Sequence, residues 1–271
     1  MASTSKPLET PAGGPGSAAA GNSAPPPPGR ATVLKALVAR EFLSYFRSPV
    51  AYVFLSVFLI ASVSLTWFIG GFFASNDASL NLFFTSLPWV YLFLIPAVGM
   101  RLWAEEKRSG TWELLFTYPV DAAVTVIAKF LAGWAFIGVA LVLTATMPMT
   151  VSFLGDPDWG PVVSGYFGAF LMAGAYLGIC SLASALTRNQ VISFVISFMI
   201  CLVLVLLGWS VFNTILLSMN WPVGVVDFIA NFSFIPHFEP MLKGLLTLSD
   251  LLFFLSIIGA TLWLNTVVLE R

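Results

Sequence analysis

Three acids, a lysine and an arginine crowd into one short stretch of an otherwise apolar chain: Glu105, Glu106, Lys107, Arg108 and Glu113, within residues 105–120 (EEKRSGTWELLFTYPV). Runs long enough to cross a membrane flank it, so this segment has to lie in water on one side of a bilayer. Ser109 and Gly110 read as a turn. Thr111 follows as an N-cap, with the Glu113 carboxylate in the first turn, where the helix dipole favours negative charge. Trp112, Leu114, Leu115 and Phe116 then form a short helix with an apolar side, and Pro119 stops it. Exposed aromatic and aliphatic side chains on a loop helix mark a binding surface. The chemistry of the stretch is therefore docking, and the expected occupant is a soluble partner that moves the membrane part.

No other group in the chain offers bond chemistry. There is no G-x-x-x-x-G-K-[ST], no H-E-x-x-H and no G-x-S-x-G. The single histidine, His237, reads as an interfacial polar residue rather than a base or ligand. Cys180 and Cys201 both fall in apolar runs and read as small hydrophobes rather than a disulfide or a metal pair. Met147 and Met149 flank Pro148 and read as packing. No charge falls in the middle of a span on this reading, which argues against a proton relay.

The elements that hold the charged stretch follow from composition. The chain has 271 residues, is 58% hydrophobic and only 9% charged, with a mean hydropathy of +0.92. Soluble domains carry about 25% charged residues, so the expected fold class is all-α and polytopic. Six spans are expected, near 50–73, 80–100, 129–153 after a lead-in at 121–129, 161–186, 191–218 and 250–269. Residues 31–49 form an amphipathic helix, with Leu34, Leu37, Val38, Phe42, Tyr45 and Phe46 on one side and Arg40, Ser44 and Arg47 on the other. Such a helix suits the headgroup plane, and a cytoplasmic extension of the first span is the alternative. Residues 219–249 mix short apolar pieces with prolines and read as outer interfacial or re-entrant helices. Gly174 and Gly178 form a G-x-x-x-G pair in the fourth span, a face for close helix packing. Pro88 and Pro96 lie inside the second span.

Residues 1–30 are rich in Pro, Gly and Ala and cannot bury enough apolar surface to fold, so they read as a disordered tail ahead of a six-span domain at 31–271. The tail has no signal-peptide pattern, which leaves the first span as its own insertion signal. Lys35, Arg40, Arg47, Arg101, Lys107, Arg108, Lys129, Arg188 and Arg271 fall on the N-terminal side of the spans. Only Lys243 falls on the other, with Asp77, Asp156, Asp158, Asp227, Glu239 and Asp250. The positive-inside rule then puts both termini and the charged stretch in the cytoplasm. Trp89, Trp159 and Trp221 lie near outer boundaries and Trp103 near an inner one. With no basic patch, nucleic acid is not an expected partner.

The order of residues in the charged stretch resembles the permease subunits of ABC-2 type transporters, with the gliding-motility-associated subgroup and its nitrous-oxide-reductase-maturation relatives nearest. The matching positions are Glu105, Glu106, Lys107, Gly110, Thr111, Glu113, Leu114, Leu115, Pro119, Val120 and Lys129. Family members usually have Gly before that last lysine, where this chain has Ala128. The resemblance implies an exporter permease of the bacterial inner membrane with no ATPase site and no cofactor of its own. Its implied partners are a separate ATP-binding cassette subunit carrying ATP-Mg, a second identical or related permease, and membrane lipid. Thr111 to Tyr118 would be the coupling helix, with Leu114, Leu115 and Phe116 in a groove of the ATPase and Glu105 and Glu106 paired with nearby or partner bases. The rival readings are an autonomous channel or secondary carrier, and an intramembrane enzyme using His237 with Ser233.

Overall fold

The computed structural model describes residues 29–69, 79–110 and 121–270. Twelve α-helices and one π-helical turn make up these residues, with no strand among them: α1 (Arg30–Arg47), α2 (Pro49–Ser64), the π turn Leu65–Ile69, α3 (Asn81–Gly99), α4 (Arg101–Ser109), α5 (Ala122–Leu143), α6 (Thr146–Leu154), α7 (Trp159–Leu186), α8 (Gln190–Leu206), α9 (Ser210–Ser218), α10 (Val223–Ala230), α11 (Phe234–Leu242) and α12 (Leu248–Leu269). The expected all-α membrane fold is present. Five helical runs are long and apolar enough to cross a bilayer, or six if the bent pair α8–α9 is one span.

The centre is α7, which touches α3, α4, α5, α8, α11 and α12. Small residues make this possible. Of its apolar window 83% is buried, against 22% for α12, so α7 is the core and α12 turns most of itself outward. At Gly99 an added Cβ would run into Cys180 of α7, and at Gly165 it would come within 2.8 Å of the Phe84 ring of α3. These are places where one backbone presses on another helix, and only hydrogen fits.

The structure redraws several boundaries. The second span does not end at Met100: α4 continues it, so Glu105 to Ser109 are the end of a helix rather than the start of a loop. Residues 121–129 are not a separate lead-in but the opening turns of α5. Together α5 and α6 form one 33-residue run, about 50 Å long. That exceeds the ~30 Å of hydrocarbon and leaves the charged opening turns room outside it.

The fifth span is broken as well: α8 and α9 meet at 67°. At the elbow, a Cβ on Gly208 would strike Ser233, and it would lie 2.7 Å from Pro236 of α11. The start of α11 is wedged into the bend. No charge interrupts residues 191–218, and hydropathy there carries no trace of that wedge.

The amphipathic α1 is present, and the break at Ser48–Pro49 separates it from α2. Arg30 meets Asp121 at 3.1 Å and Tyr45 stacks on Phe136 at 5.0 Å, so α1 runs beside the opening four turns of α5, in the same direction. Its apolar stripe is turned onto the bundle.

Candidate functional site

The charges segregate to two ends of the bundle. One end gathers α1, α4, the start of α5 and the end of α7; the other gathers the 155–160 turn, the α8–α9 elbow, α11 and the start of α12.

At the first end, α4 is bolted to α7. The backbone N–H groups of Trp103 and Ala104 both donate to Ser184 Oγ at 3.0 Å, and Ser184 in turn donates to the Met100 carbonyl at 3.0 Å. One hydroxyl thus satisfies the backbone where α3 passes into α4. Trp103 Nε1 donates to Ser181 Oγ at 3.2 Å, and Asn265 of α12 donates to the same oxygen at 2.6 Å. Trp103 is therefore buried inside the bundle rather than facing outward. A buried indole N–H needs an acceptor, and α7 supplies one that no local pattern announces. Lys107 donates to the Ala185 carbonyl, at the C-terminal end of α7, where a cation is favoured.

A buried lysine closes this end. Lys129 Nζ lies 2.5 Å from Glu106 Oε1 of α4 and 3.4 Å from Glu41 Oε2 of α1. Its ammonium is also 5.3 Å from the centre of the Trp103 ring. Its side chain is only 5% exposed, and two carboxylates and an aromatic face surround the amino group. Burial pushes the Glu41 carboxyl up, but Lys129 and Arg40 outweigh it and hold Glu41 below the ordinary carboxylate value. Three helices from separate parts of the chain thus meet on one ammonium.

Of the residues singled out from the sequence, Glu106 belongs to this cluster and Glu105 is exposed one position earlier on α4. Gly110 ends the helix in the left-handed conformation, φ +72°, which glycine adopts freely. Thr111, Trp112, Glu113, Leu114, Leu115, Phe116 and Pro119 lie outside the described residues. In α7, a Cβ on Gly174 would come within 2.9 Å of Ile258 in α12 and of Trp134 in α5, and one on Gly178 would collide with Thr261.

Three participants escaped sequence reasoning. Glu41 had a visible signal, since it is the one acid on the stripe formed by Leu34, Leu37, Val38, Phe42 and Tyr45. Ser181 and Ser184 had none, because serine is an ordinary small residue in an apolar helix.

The other end is built differently. A cavity of about 650 Å³ opens between Trp89, Asp158, Trp209, Glu239 and Lys243, with Asn81 at its rim. Behind it His237 Nδ1 is 2.7 Å from Asp250 Oδ1, Nε2 is 3.0 Å from the Asn231 carbonyl, and the ring stacks on Phe253 at 3.9 Å. Thr247 donates to the other oxygen of Asp250. His237 is thus a structural tie between α11 and α12. Ser233 Oγ caps α11, accepting from the Ile235 N–H at 3.3 Å, and is fully buried. Both side chains of the enzyme reading are engaged in holding helices.

A family model described as ABC-2 family transporter protein matches residues 89–264, more than half of the chain. The match opens within α3, closes within α12 and takes in Glu105, Glu106, Lys129 and both glycines. No curated protein matches the chain.

Proposed function

The chain belongs to the ABC-2 transporter family, and from that premise we propose that it is an exporter permease driven through residues 111–120. It is a multi-pass membrane protein and the permease subunit of an ABC transporter, a family whose membrane subunits work with an ATP-binding cassette partner. The finer reading is that residues 111–120 carry the coupling helix that grips this partner. Leu114, Leu115 and Phe116 fill a groove on the ATPase, Thr111 caps the helix, and Trp112 and Pro119 bound it. ATP-Mg is held by the partner, in the cytoplasm of a bacterial cell, with both termini of this chain on that side of the inner membrane. Two permeases, identical or related, form the path, and the pattern around Glu105 supports a place in the gliding-motility-associated, nitrous-oxide-reductase-maturation-like subgroup.

One observation carries this reading. Residues 111–120 connect α4 to α5 along the chain; those two helices are joined by the Glu106–Lys129 pair, and α4 is tied to α7 through Ser181 and Ser184. A push on the segment is delivered to the core helix and to α1 rather than absorbed by a slack loop.

Leu115→Asp tests it. Association with the ATPase subunit is expected to be lost while membrane insertion is retained, and intact association would refute the docking role. A single cysteine at Ser109 is expected to label only from the cytoplasm and one at Asp158 only from outside. Transport by the purified chain in liposomes without nucleotide would favour the autonomous carrier instead.

A further inference from the structure

A cleft of about 500 Å³ opens on the side of the bundle at the α1 end, between α1–α2, α3–α4 and the start of α5. Its two halves differ in chemistry. One half is aliphatic, with Val50, Val53 and Val57 along α2 facing Leu94 and Val98 of α3. Val50, Val53 and Val57 are exposed apolar side chains in the opening turns of a membrane span, so this wall continues into hydrocarbon. The other half is charged, with Arg101, Glu105, Glu106, Glu41 and Lys129.

The ion pairs do not use up these charges. Lys129 is shared between Glu41 and Glu106. Arg101 has no ion pair or side-chain hydrogen bond among the described residues, and its Nε is buried without a partner. Glu106 Oε2 is likewise buried and unpartnered. Glu105, one turn beyond Arg101 on α4, has no ion pair among the described residues either. A guanidinium that is half out of water at a membrane boundary calls for an anion, and phosphate matches its fork of donors. The Glu105 carboxylate and the second oxygen of Glu106 call for a cation. With Arg40, which meets Glu41 at 2.7 Å, three carboxylates stand against three cations, so the charged half is balanced and suits a zwitterionic headgroup better than a purely anionic one.

We propose that this cleft binds one zwitterionic aminophospholipid of the adjacent leaflet. Its phosphodiester lies on Arg101, its ammonium on Glu105 and Glu106, and one acyl chain along Val53, Val57 and Leu94. The assignment rests on the spans crossing a bilayer and is independent of how an ATPase docks. A lipid seated here touches α1, α2, α3, α4 and α5 together, and so bridges the helices that carry the Lys129 cluster.

The test is native mass spectrometry of the full chain, delipidated in detergent and titrated with dioleoyl phosphatidylethanolamine. One tight adduct is expected. Arg101→Gln is expected to weaken it about tenfold, the size of one charge-assisted hydrogen bond, whereas Arg101→Lys, which keeps the charge but not the fork, is expected to fall between the two. Val57→Trp, which fills the apolar half, is expected to weaken it with Arg101 intact. Dioleoyl glycerol, which lacks the phosphate, and glycerophosphoethanolamine, which lacks the chains, are expected to bind far more weakly. Undiminished binding to the Arg101→Gln chain, or equal binding of either truncated probe, overturns the proposal. Equal affinity for dioleoyl phosphatidylglycerol overturns the role given to the carboxylates. Thermal melting of each variant separates lost binding from lost fold.

Discussion

Each end of the bundle holds a polar tie to a carboxylate, and the two ties do different things. At the α1 end, Lys129 joins residues distant in sequence, 88 positions from Glu41 and 23 from Glu106. At the α11 end, His237 and Asp250 are only 13 positions apart, and the tie closes a local corner between consecutive helices. The first cluster orders the bundle as a whole; the second orders a cap. The neighbouring backbone agrees. Where α3 passes into α4 the helix is nearly continuous and each freed backbone group meets Ser184. The fifth span, at the other end, is bent by 67° around a glycine. Under the proposed function, in which the α1 end takes the push, the asymmetry supplies a stiff end to transmit and a jointed end to move.

The sharpest way to break the comparison is Lys129→Met. It leaves two partly exposed carboxylates without their shared cation, and a loss of about 3 kcal/mol is expected, the low end for removing one side of a buried pair, read as the melting shift of the purified chain. Adding Glu106→Gln to that variant should recover part of the loss, because the repulsion is then relieved; no recovery would mean that the pair is not coupled.

His237→Leu at the other end is expected to cost about 1–3 kcal/mol, the penalty for leaving Asp250 short of a partner. Its effect should stay near α11 and α12, so hydrogen exchange should rise there and not in α1. A rise spread over the whole bundle would erase the distinction between the ends.

Acid sharpens the contrast further. Glu41 is held below its ordinary value of 4.5, so its contribution is fully present above that value and is lost as pH falls through the lowered folded value. Loosening of α1 from α5, followed by the fluorescence of a probe on α1, should therefore begin only below the ordinary carboxylate range, and Glu41→Gln should remove that step. The exposed Arg30–Asp121 pair marks the bottom of the scale. Both side chains are largely in water, and Arg30→Ala is expected to leave stability within ~1 kcal/mol of the parent.

Sequence alone determined the class of the molecule and most of its segments. Long charge-free runs can satisfy their backbone in lipid only as helices, so the number and rough placement of the spans, the amphipathic α1 and the short helices after the fifth span were legible from hydropathy and proline. The G-x-x-x-G pair and the family pattern around Glu105 were legible for the same reason, since both are local. Tertiary structure decided which polar residues matter. Lys129 gains its meaning from Glu41 and Glu106, Trp103 from Ser181, the elbow at Gly208 from Ser233 and Pro236, and His237 from Asp250. Each depends on a partner that another helix brings, and hydropathy along one helix carries no information about its neighbour. A buried charge or indole is tolerable only once that neighbour has docked, so these contacts are properties of the packed bundle and of no single stretch of it.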